Sequence, residues 1–398
     1  MRDRTTERVY CRGSVTKARQ DESDRDLDRP STMKPYTVAA PISRTSARWS
    51  IATALVCTLA IAQSAHAQAH WATLDDFLTR GIRLNAQELA ALKRGETIAR
   101  MLPTTDPQDI AVFGAVQIDV ARTFWVDRQR QLPAALRTPV RAQVQLFSDP
   151  AILADVEAFD VDGDDLKELR SCRPSDCKIK LPATDMAQLR SVTGSGSDAK
   201  ARVTSYARQR IVEYVNDYRA RGNAAMVVYD DRGTVRATDA LAAMLRDSSY
   251  VFAAVPALGQ YLLDFPRATL PGATQVLFWS RDEMPHLRPV LRITHGTIYS
   301  PPDRTDLTVV SAKQIYADHY FEAGLEVLAA VDRSPGAPAP NPGGITVVAV
   351  RRYRFDHLPS GGLLNIRGRV GNGLRENVSA DLKRLKRDSE TEWARQPR

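Results

Sequence analysis

Two histidines of this chain lie in stretches where polar and apolar residues alternate. His295 belongs to residues 290–299 and His319 to residues 313–327, and each falls on the apolar side of its stretch. Such alternation is typical of a β-strand with one buried face. An imidazole in this position could act as the general base of a hydrolase, with a Tyr or Asp partner. The alternative is a core histidine whose ring nitrogens bond to a carbonyl or a tyrosine.

A further alternating stretch, residues 345–357, places an arginine among apolar side chains. An inward arginine requires an anion or a ligand as its partner, since an unpaired buried charge is costly; the alternative is an edge position that reaches solvent. A turn near Arg304 would put the two histidines on one side of the sheet. Apolar cavities with a few convergent polar groups are typical of small-molecule sites. The candidate ligand-binding residues are His295, His319, Arg351, Tyr353, His357 and Tyr299.

The sequence predicts neither a metal site nor a cofactor. No carboxylate shares the apolar face of the two histidines, so a His-based metal site would be incomplete. The motifs of zincins, nucleophile-elbow hydrolases, P-loops and dinucleotide-binding folds are missing from the sequence. DVDGDD at residues 160–165 is similar to a calcium loop, but its glycine stands at the fourth position and no Glu follows at the twelfth. Asp164 or Asp165 is therefore expected to cap a helix.

The elements that must position these residues are strands followed by one long helix. Strands are expected near residues 112–120, 140–147, 275–280, 290–299, 313–327 and 345–355. Apolar residues then recur every three or four positions, which predicts a helix with one buried stripe over residues 363–387. The stripe consists of Leu363, Ile366, Val370, Leu374, Val378, Leu382 and Leu385. The expected class is α+β, an antiparallel curved sheet covered by the long C-terminal helix.

The remaining segments complete a single domain. Helices are expected over residues 68–110, and a mostly helical insertion over about residues 150–270, clearest at residues 200–221. The α+β domain would span residues 111–388, with residues 389–398 as a tail.

The N-terminus predicts export. Residues 1–32 are rich in charge and poor in apolar side chains, so they form a disordered or non-native extension. Met33 opens a basic stretch, an apolar run of 12 residues at 51–62 and the small-x-small pattern ending at Ala67. That run is too short to span a membrane. Cleavage after Ala67 would give a periplasmic or secreted protein that begins at Gln68.

Removal of the signal peptide changes the cysteine and charge counts. It leaves only Cys172 and Cys177, whose spacing is not that of a redox C-x-x-C, so a structural disulfide is expected. Residues 351–398 hold 12 basic and 6 acidic side chains, so the basic character is confined to the C-terminus. Export argues against a nucleic-acid partner. Peripheral contact of the basic C-terminal helix with an anionic membrane surface stays open as a hypothesis.

The order of elements resembles the helix-grip fold of START-like ligand carriers over residues 110–147 and 273–387. The helical insertion departs from that compact pattern. The resemblance implies a curved sheet that wraps the last helix around a cavity. CRPSDCKIKLP and QIYADHYFEA look like signatures of a group of exported bacterial proteins, which implies secretion but no activity.

The leading functional hypothesis is an exported protein, more a binder than an enzyme, that holds a hydrophobic or amphipathic small molecule between the sheet and the C-terminal helix. The alternatives are a His-dependent hydrolase and a non-enzymatic envelope interaction protein.

Overall fold

The computed structural model describes residues 71–396 except 72, 133, 142, 284–286, 334–342 and 359–364. All of these residues belong to one compact unit. The predicted N-terminal extension and the predicted signal peptide lie outside the described residues.

An eight-stranded antiparallel sheet forms the centre of the described chain, in the order β1-β2-β10-β9-β8-β7-β6-β3. Strands β4 and β5 form a separate small hairpin. The ten strands are β1 (Ile98–Leu102), β2 (Asp109–Ile118), β3 (Gln143–Leu146), β4 (Val228–Tyr229), β5 (Val235–Arg236), β6 (Thr274–Asp282), β7 (Val290–Tyr299), β8 (Leu307–Ala317), β9 (Phe321–Asp332) and β10 (Ile345–Phe355). The predicted α+β class, with a curved sheet and a long C-terminal helix, is confirmed.

Helices pack on both faces of this sheet. They are α1 (Leu74–Asp76), α2 (Ala86–Lys93), α3 (Arg122–Arg130), α4 (Gly163–Leu169), α5 (Ala183–Thr193), α6 (Ala199–Arg221), α7 (Ala237–Asp247), α8 (Ser249–Phe252), α9 (Pro256–Asp264) and α10 (Ile366–Ala394). A π-helical turn, Phe77–Gly81, continues α1, and three short 3-10 turns occur at Ala134–Leu136, Leu153–Val156 and Gly222–Ala225. None of the helices in the described ranges is long and apolar enough to cross a membrane.

The C-terminal helix α10 crosses β1 and β2 at close range. A Cβ on Gly114 of β2 would lie 2.6 Å from side-chain atoms of both Val378 and Leu382, and one on Gly371 of α10 would lie 2.7 Å from Met101. Glycine at both positions therefore lets the backbones approach. The helix continues to Ala394, so most of the predicted tail at residues 389–398 is helical. Helix α3 packs on the same face, where Phe124 contacts Trp393 at 5.1 Å between ring centroids.

The N-terminal and inserted helices cover the opposite face of the sheet. The long helix α6 buries Val203, Ile211, Val215 and Tyr218, as its apolar stripe predicts. The sulfurs of Cys172 and Cys177, between α4 and α5, are at bonding distance, and their Cα atoms are 4.7 Å apart. The short strand β1 lies within the region expected to be helical only.

The alternating run at residues 313–327 is two strands, not one. Strand β8 ends at Ala317 and β9 begins at Phe321, and the turn between them has Tyr320 in the left-handed region at φ 60°. The strands pair as a hairpin, with Gln314 opposite Gly324. The prediction was wrong because a three-residue turn leaves the period-two pattern unbroken. The same run therefore reverses direction.

Candidate functional site

The six predicted ligand-binding residues do not share one cavity. Arg351 and Tyr353 lie on the sheet face covered by α10. His295, Tyr299 and His319 lie on the face covered by the inserted helices. His357 follows β10 and is exposed. Alternation fixes which residues share a face within one strand, but not how the faces of separate strands match. The expected convergence of the histidines with Arg351 is therefore wrong.

His295 is a core residue with both ring nitrogens occupied. Its Nδ1 lies 2.9 Å from the Tyr218 hydroxyl of α6, and its Nε2 lies 3.2 Å from the Tyr261 hydroxyl of α9. The side chain is buried, and this burial holds the pKa of the imidazole well below its usual range. The ring is therefore neutral, donating to one tyrosine oxygen and accepting from the other hydroxyl.

A buried lysine lies beside this histidine. Lys313 of β8 donates from Nζ to Asn223 Oδ1 at 2.9 Å, and its ammonium lies 5.3 Å from the ring centroids of both Tyr218 and Phe265. Burial lowers the pKa of Lys313 to about 7. The group is thus a titratable part of the core near neutral pH.

His319, in the turn between β8 and β9, is held by an aspartate that the sequence did not place beside it. Its Nε2 lies 3.2 Å from Asp165 Oδ1, and its Nδ1 lies 2.9 Å from the Lys178 carbonyl oxygen. Burial alone would lower the pKa of His319, but Asp318 and Asp165 outweigh it and raise the pKa to about 9. A protonated imidazole cannot accept a proton as a general base. The geometry therefore does not favour the hydrolase hypothesis at this residue.

The position of Asp165 corrects two expectations. We expected no carboxylate beside the histidines, yet Asp165 lies there, 154 residues earlier in the chain. The residue that caps α4 is Asp162, whose side chain accepts from the backbone NH of Asp164. Asp165 is thereby free to face inward from the first turn of α4.

On the other face of the sheet, three arginines surround one glutamate. Glu326 Oε1 lies 3.0 Å from Arg141 and 3.5 Å from Arg292, and Glu326 Oε2 lies 3.5 Å from Arg351. Tyr353 donates its hydroxyl to the same carboxylate at 2.7 Å. Burial would raise the pKa of Glu326, but the three guanidinium groups hold it far below its usual range. This cluster could not be predicted from the sequence, because Glu326 belongs to the polar series of its alternating stretch and alternation assigns such a series to solvent.

Arg351 also lines a cavity of about 240 Å³ between the sheet and α10. The apolar part of the wall comes from Leu328 and Ala349 of the sheet and from Val378, Leu382 and Leu385 of α10. The charged lining residues are Arg128, Arg137, Arg351, Arg384, Asp381 and Asp388.

Two of these arginines share one carboxylate. Arg351 and Arg384 both donate to Asp381, at 2.7 Å and 2.8 Å. Arg137 is exposed and has no ion-pair partner within the described parts of the chain. The Nε of Arg351 is buried and makes no hydrogen bond, although it lies 3.5 Å from Glu326. The lining residues therefore include two more arginines than aspartates, and one of these arginines, Arg128, pairs with Glu392 at 3.0 Å.

A larger cleft of about 890 Å³ opens on the other face, between α5, α6 and the sheet. Tyr206, Tyr214 and Tyr316 contribute to its wall. Its charged groups pair among themselves, with Arg210 3.1 Å from Asp185 and Arg221 bonded to Asp217. The cleft is thus aromatic and close to electrically balanced.

The basic side chains of α10 mostly bond within the chain. Lys386 donates to the Gln117 carbonyl at 2.7 Å, and Arg367 to the Pro107 carbonyl at 3.0 Å. Lys383 is exposed. Fewer basic side chains of this helix are therefore unbonded and able to reach a membrane surface than its composition suggests.

Neither a protein-family model nor a curated protein matches this chain. The side chains and cavities described above are thus the basis for any functional assignment.

Proposed function

We propose that this protein is an exported binder of a small amphipathic anion, held in the cavity between the sheet and α10. The observation that carries the proposal is Arg351, a largely buried cation that lines a cavity whose other sheet residues, Leu328 and Ala349, are apolar. A carboxylate, sulfate or phosphate head group would meet guanidinium donors, while an alkyl or aryl group would contact the apolar wall.

The charge of the lining supports an anion over a neutral or cationic ligand. Four arginines and two aspartates line the cavity. Asp381 serves both Arg351 and Arg384, and Arg128 pairs with Glu392 outside the lining. Guanidinium groups bind carboxylates and phosphates through paired donors. A cation would meet net repulsion there. The volume of about 240 Å³ suits a compact ligand rather than a long-chain lipid.

The state of the histidines supports a binding role over hydrolysis. His295 is neutral, but both of its nitrogens are bonded and its side chain is only 1% exposed. His319 does not suit a general base, because its pKa is raised to about 9 and its Nε2 is bonded to Asp165. A general base needs an unprotonated nitrogen within reach of substrate.

The tyrosine-lined cleft is a second candidate binding site. It is favoured by its volume, about 890 Å³, which lies in the range of ordinary ligand pockets. Its balanced charges suit an uncharged aromatic molecule rather than an anion. The two sites lie on opposite faces of the sheet, so variants can separate them.

Native mass spectrometry of the mature protein, residues 68–398, tests the proposal. Protein purified without denaturant should carry a small acidic molecule that is released by organic extraction and identified in negative-ion mode. Arg351→Gln should lose this molecule, and Tyr206→Phe in the cleft should keep it. Loss in the Tyr206 variant alone would move the site to the cleft. A protein without any adduct, which also takes up none from a panel of small carboxylates, would refute the binding role.

A further inference from the structure

Three potential metal ligands meet where α4 packs against the turn between β8 and β9. Asp165, Asp318 and His319 each offer one ligand atom, and these atoms all lie within 4.8 Å of one another. Asp318 and His319 are adjacent in the turn, whereas Asp165 comes from the inserted helices. This cluster lies on the opposite sheet face from the arginine-lined cavity. It is therefore independent of the proposed anion site.

The imidazole of His319 is oriented as a metal-binding histidine usually is. Its Nδ1 faces the Lys178 carbonyl at 2.9 Å, and this contact turns Nε2 toward the Asp165 carboxylate. Metal-ligating histidines commonly donate their second ring NH to a carbonyl or a carboxylate, which fixes the tautomer and the ring plane. Asp318 is fixed in a similar way, since one of its oxygens accepts from the backbone NH of Leu291 at 2.9 Å.

A cavity of about 80 Å³ adjoins the cluster; most of its wall is apolar, and its charged residues are mainly aspartates. Asp165 and Asp318 line it together with Asp160 and Asp162, against a single lining arginine, Arg281. This space has room for waters beside a bound cation but is smaller than ordinary organic-ligand pockets. The sequence DVDGDD, which does not fit a calcium loop, thus contributes three of its four aspartates to this cavity.

The Arg288 guanidinium would compete with a metal ion for this cluster. Arg288 donates from Nη1 to Asp165 Oδ1 at 2.8 Å, and its side chain is 32% exposed. The partly exposed Arg288 can turn toward solvent, and a bound divalent cation would replace its positive charge beside the buried Asp165. Asp164, at the start of the same helix, offers it an alternative partner.

We propose that Asp165, Asp318 and His319 bind a divalent first-row transition-metal cation such as Zn²⁺ or Mn²⁺. One imidazole nitrogen and two carboxylate oxygens suit these ions better than Mg²⁺ or Ca²⁺, which prefer oxygen alone. Three protein ligands leave at least one coordination position for water.

Calorimetric titration of the EDTA-treated mature protein with ZnCl₂, MnCl₂, MgCl₂ and CaCl₂ tests this proposal. We expect saturable binding of one Zn²⁺ or Mn²⁺ per chain, with a rise in melting temperature, and at least tenfold weaker binding of Mg²⁺ and Ca²⁺. Asp318→Asn and His319→Gln should each weaken Zn²⁺ or Mn²⁺ binding at least tenfold. Asp149→Asn, an 85% exposed aspartate, is the matched control and should bind like the wild type.

Loss of metal binding can be distinguished from failure of a variant to fold. Asn at position 318 retains the oxygen that accepts from Leu291, so this variant decides the matter if His319→Gln fails to fold. Absence of saturable binding by the wild type would overturn the proposal. Equal affinity of the wild type and Asp318→Asn would also overturn it. Stronger binding of Ca²⁺ than of Zn²⁺ and Mn²⁺ would contradict a nitrogen ligand.

Discussion

Arg351 of β10 donates from Nη2 to Asp381 Oδ2 of α10 at 2.7 Å, so a largely buried cation of the sheet bonds directly to the C-terminal helix. The same guanidinium lies 3.5 Å from Glu326, the centre of the arginine cluster. Arg351 therefore links the cluster that stabilises the sheet to the cavity that we propose binds a ligand. Variants of Glu326 and of Arg351 are expected to separate these two roles.

The arginine cluster should contribute strongly to stability. Glu326→Gln removes the one carboxylate that Arg141, Arg292 and Arg351 share, and it leaves buried positive charge only partly compensated by Asp282 and Asp381. Loss of one partner of a buried ion pair costs about 3–5 kcal/mol of unfolding free energy. Urea unfolding measures this loss. Glu376→Gln, whose side chain is 72% exposed, should change stability by less than about 0.5 kcal/mol. A cost below about 1 kcal/mol for Glu326→Gln would contradict the role of the cluster.

The tyrosines around His295 predict a non-additive set of substitutions. His295→Phe leaves the buried hydroxyls of Tyr218 and Tyr261 without this partner, which should cost about 2–5 kcal/mol. Adding Tyr218→Phe and Tyr261→Phe removes the unsatisfied groups and should restore part of that stability. Equilibrium unfolding of the single, double and triple variants gives the comparison. Strictly additive losses would show that the three side chains do not form one hydrogen-bonded unit.

Lys313 should make stability depend on pH above neutrality. Burial lowers its pKa from 10.5 to about 7, so between these values the unfolded chain binds a proton that the folded chain lacks. Stability then rises with pH in this window, by about 1.4 kcal/mol per unit, and the contribution stops changing below pH 7. The difference in unfolding free energy between wild type and Lys313→Met, measured from pH 6 to pH 9, should show this slope. The corresponding difference for Lys383→Met, at an exposed position of α10, should not change with pH. Parallel curves for wild type and Lys313→Met would contradict a buried, titrating ammonium.

Export can be tested at the N-terminus. The chain expressed from Met33 in a bacterium with an outer membrane should appear in the periplasm with Gln68 as its first residue, because the apolar run at 51–62 and Ala67 match a cleaved signal. N-terminal sequencing of the periplasmic fraction measures this directly. Leu59→Arg should retain the precursor in the cytoplasm by placing a charge in the apolar run. An intact N-terminus in the wild-type protein would refute the signal peptide.

Local periodicity predicts part of this fold well. Helix α10 follows from an apolar stripe that includes Val378 and Leu382, and both of these residues are buried. Strand β10 follows from its β-branched start. Strand β1 was missed because it is a five-residue edge strand, half-buried at four positions, so its alternation is weak.

The candidate sites could not be predicted from alternation, because they depend on contacts between residues of different strands and helices. The turn at residues 318–320 preserves the period-two pattern, so the sequence pattern does not show where β8 ends and β9 begins. The relative faces of His295 and Arg351 depend on the path of the chain between their strands. Asp165 and His319 are 154 residues apart, and no spacing rule pairs them. Side-chain contacts of this range require the three-dimensional structure.

Titration calorimetry with octanoate tests whether Arg351 binds the anionic group of a compact amphipathic ligand. The wild-type mature protein should bind one octanoate per chain and should not bind octanol with comparable affinity. Arg351→Gln should weaken octanoate binding by about 10- to 100-fold, the loss expected for one charged hydrogen-bonding partner. Equal binding of octanoate by wild type and Arg351→Gln, or equal binding of octanoate and octanol by the wild type, would show that Arg351 does not bind the anionic group of such a ligand.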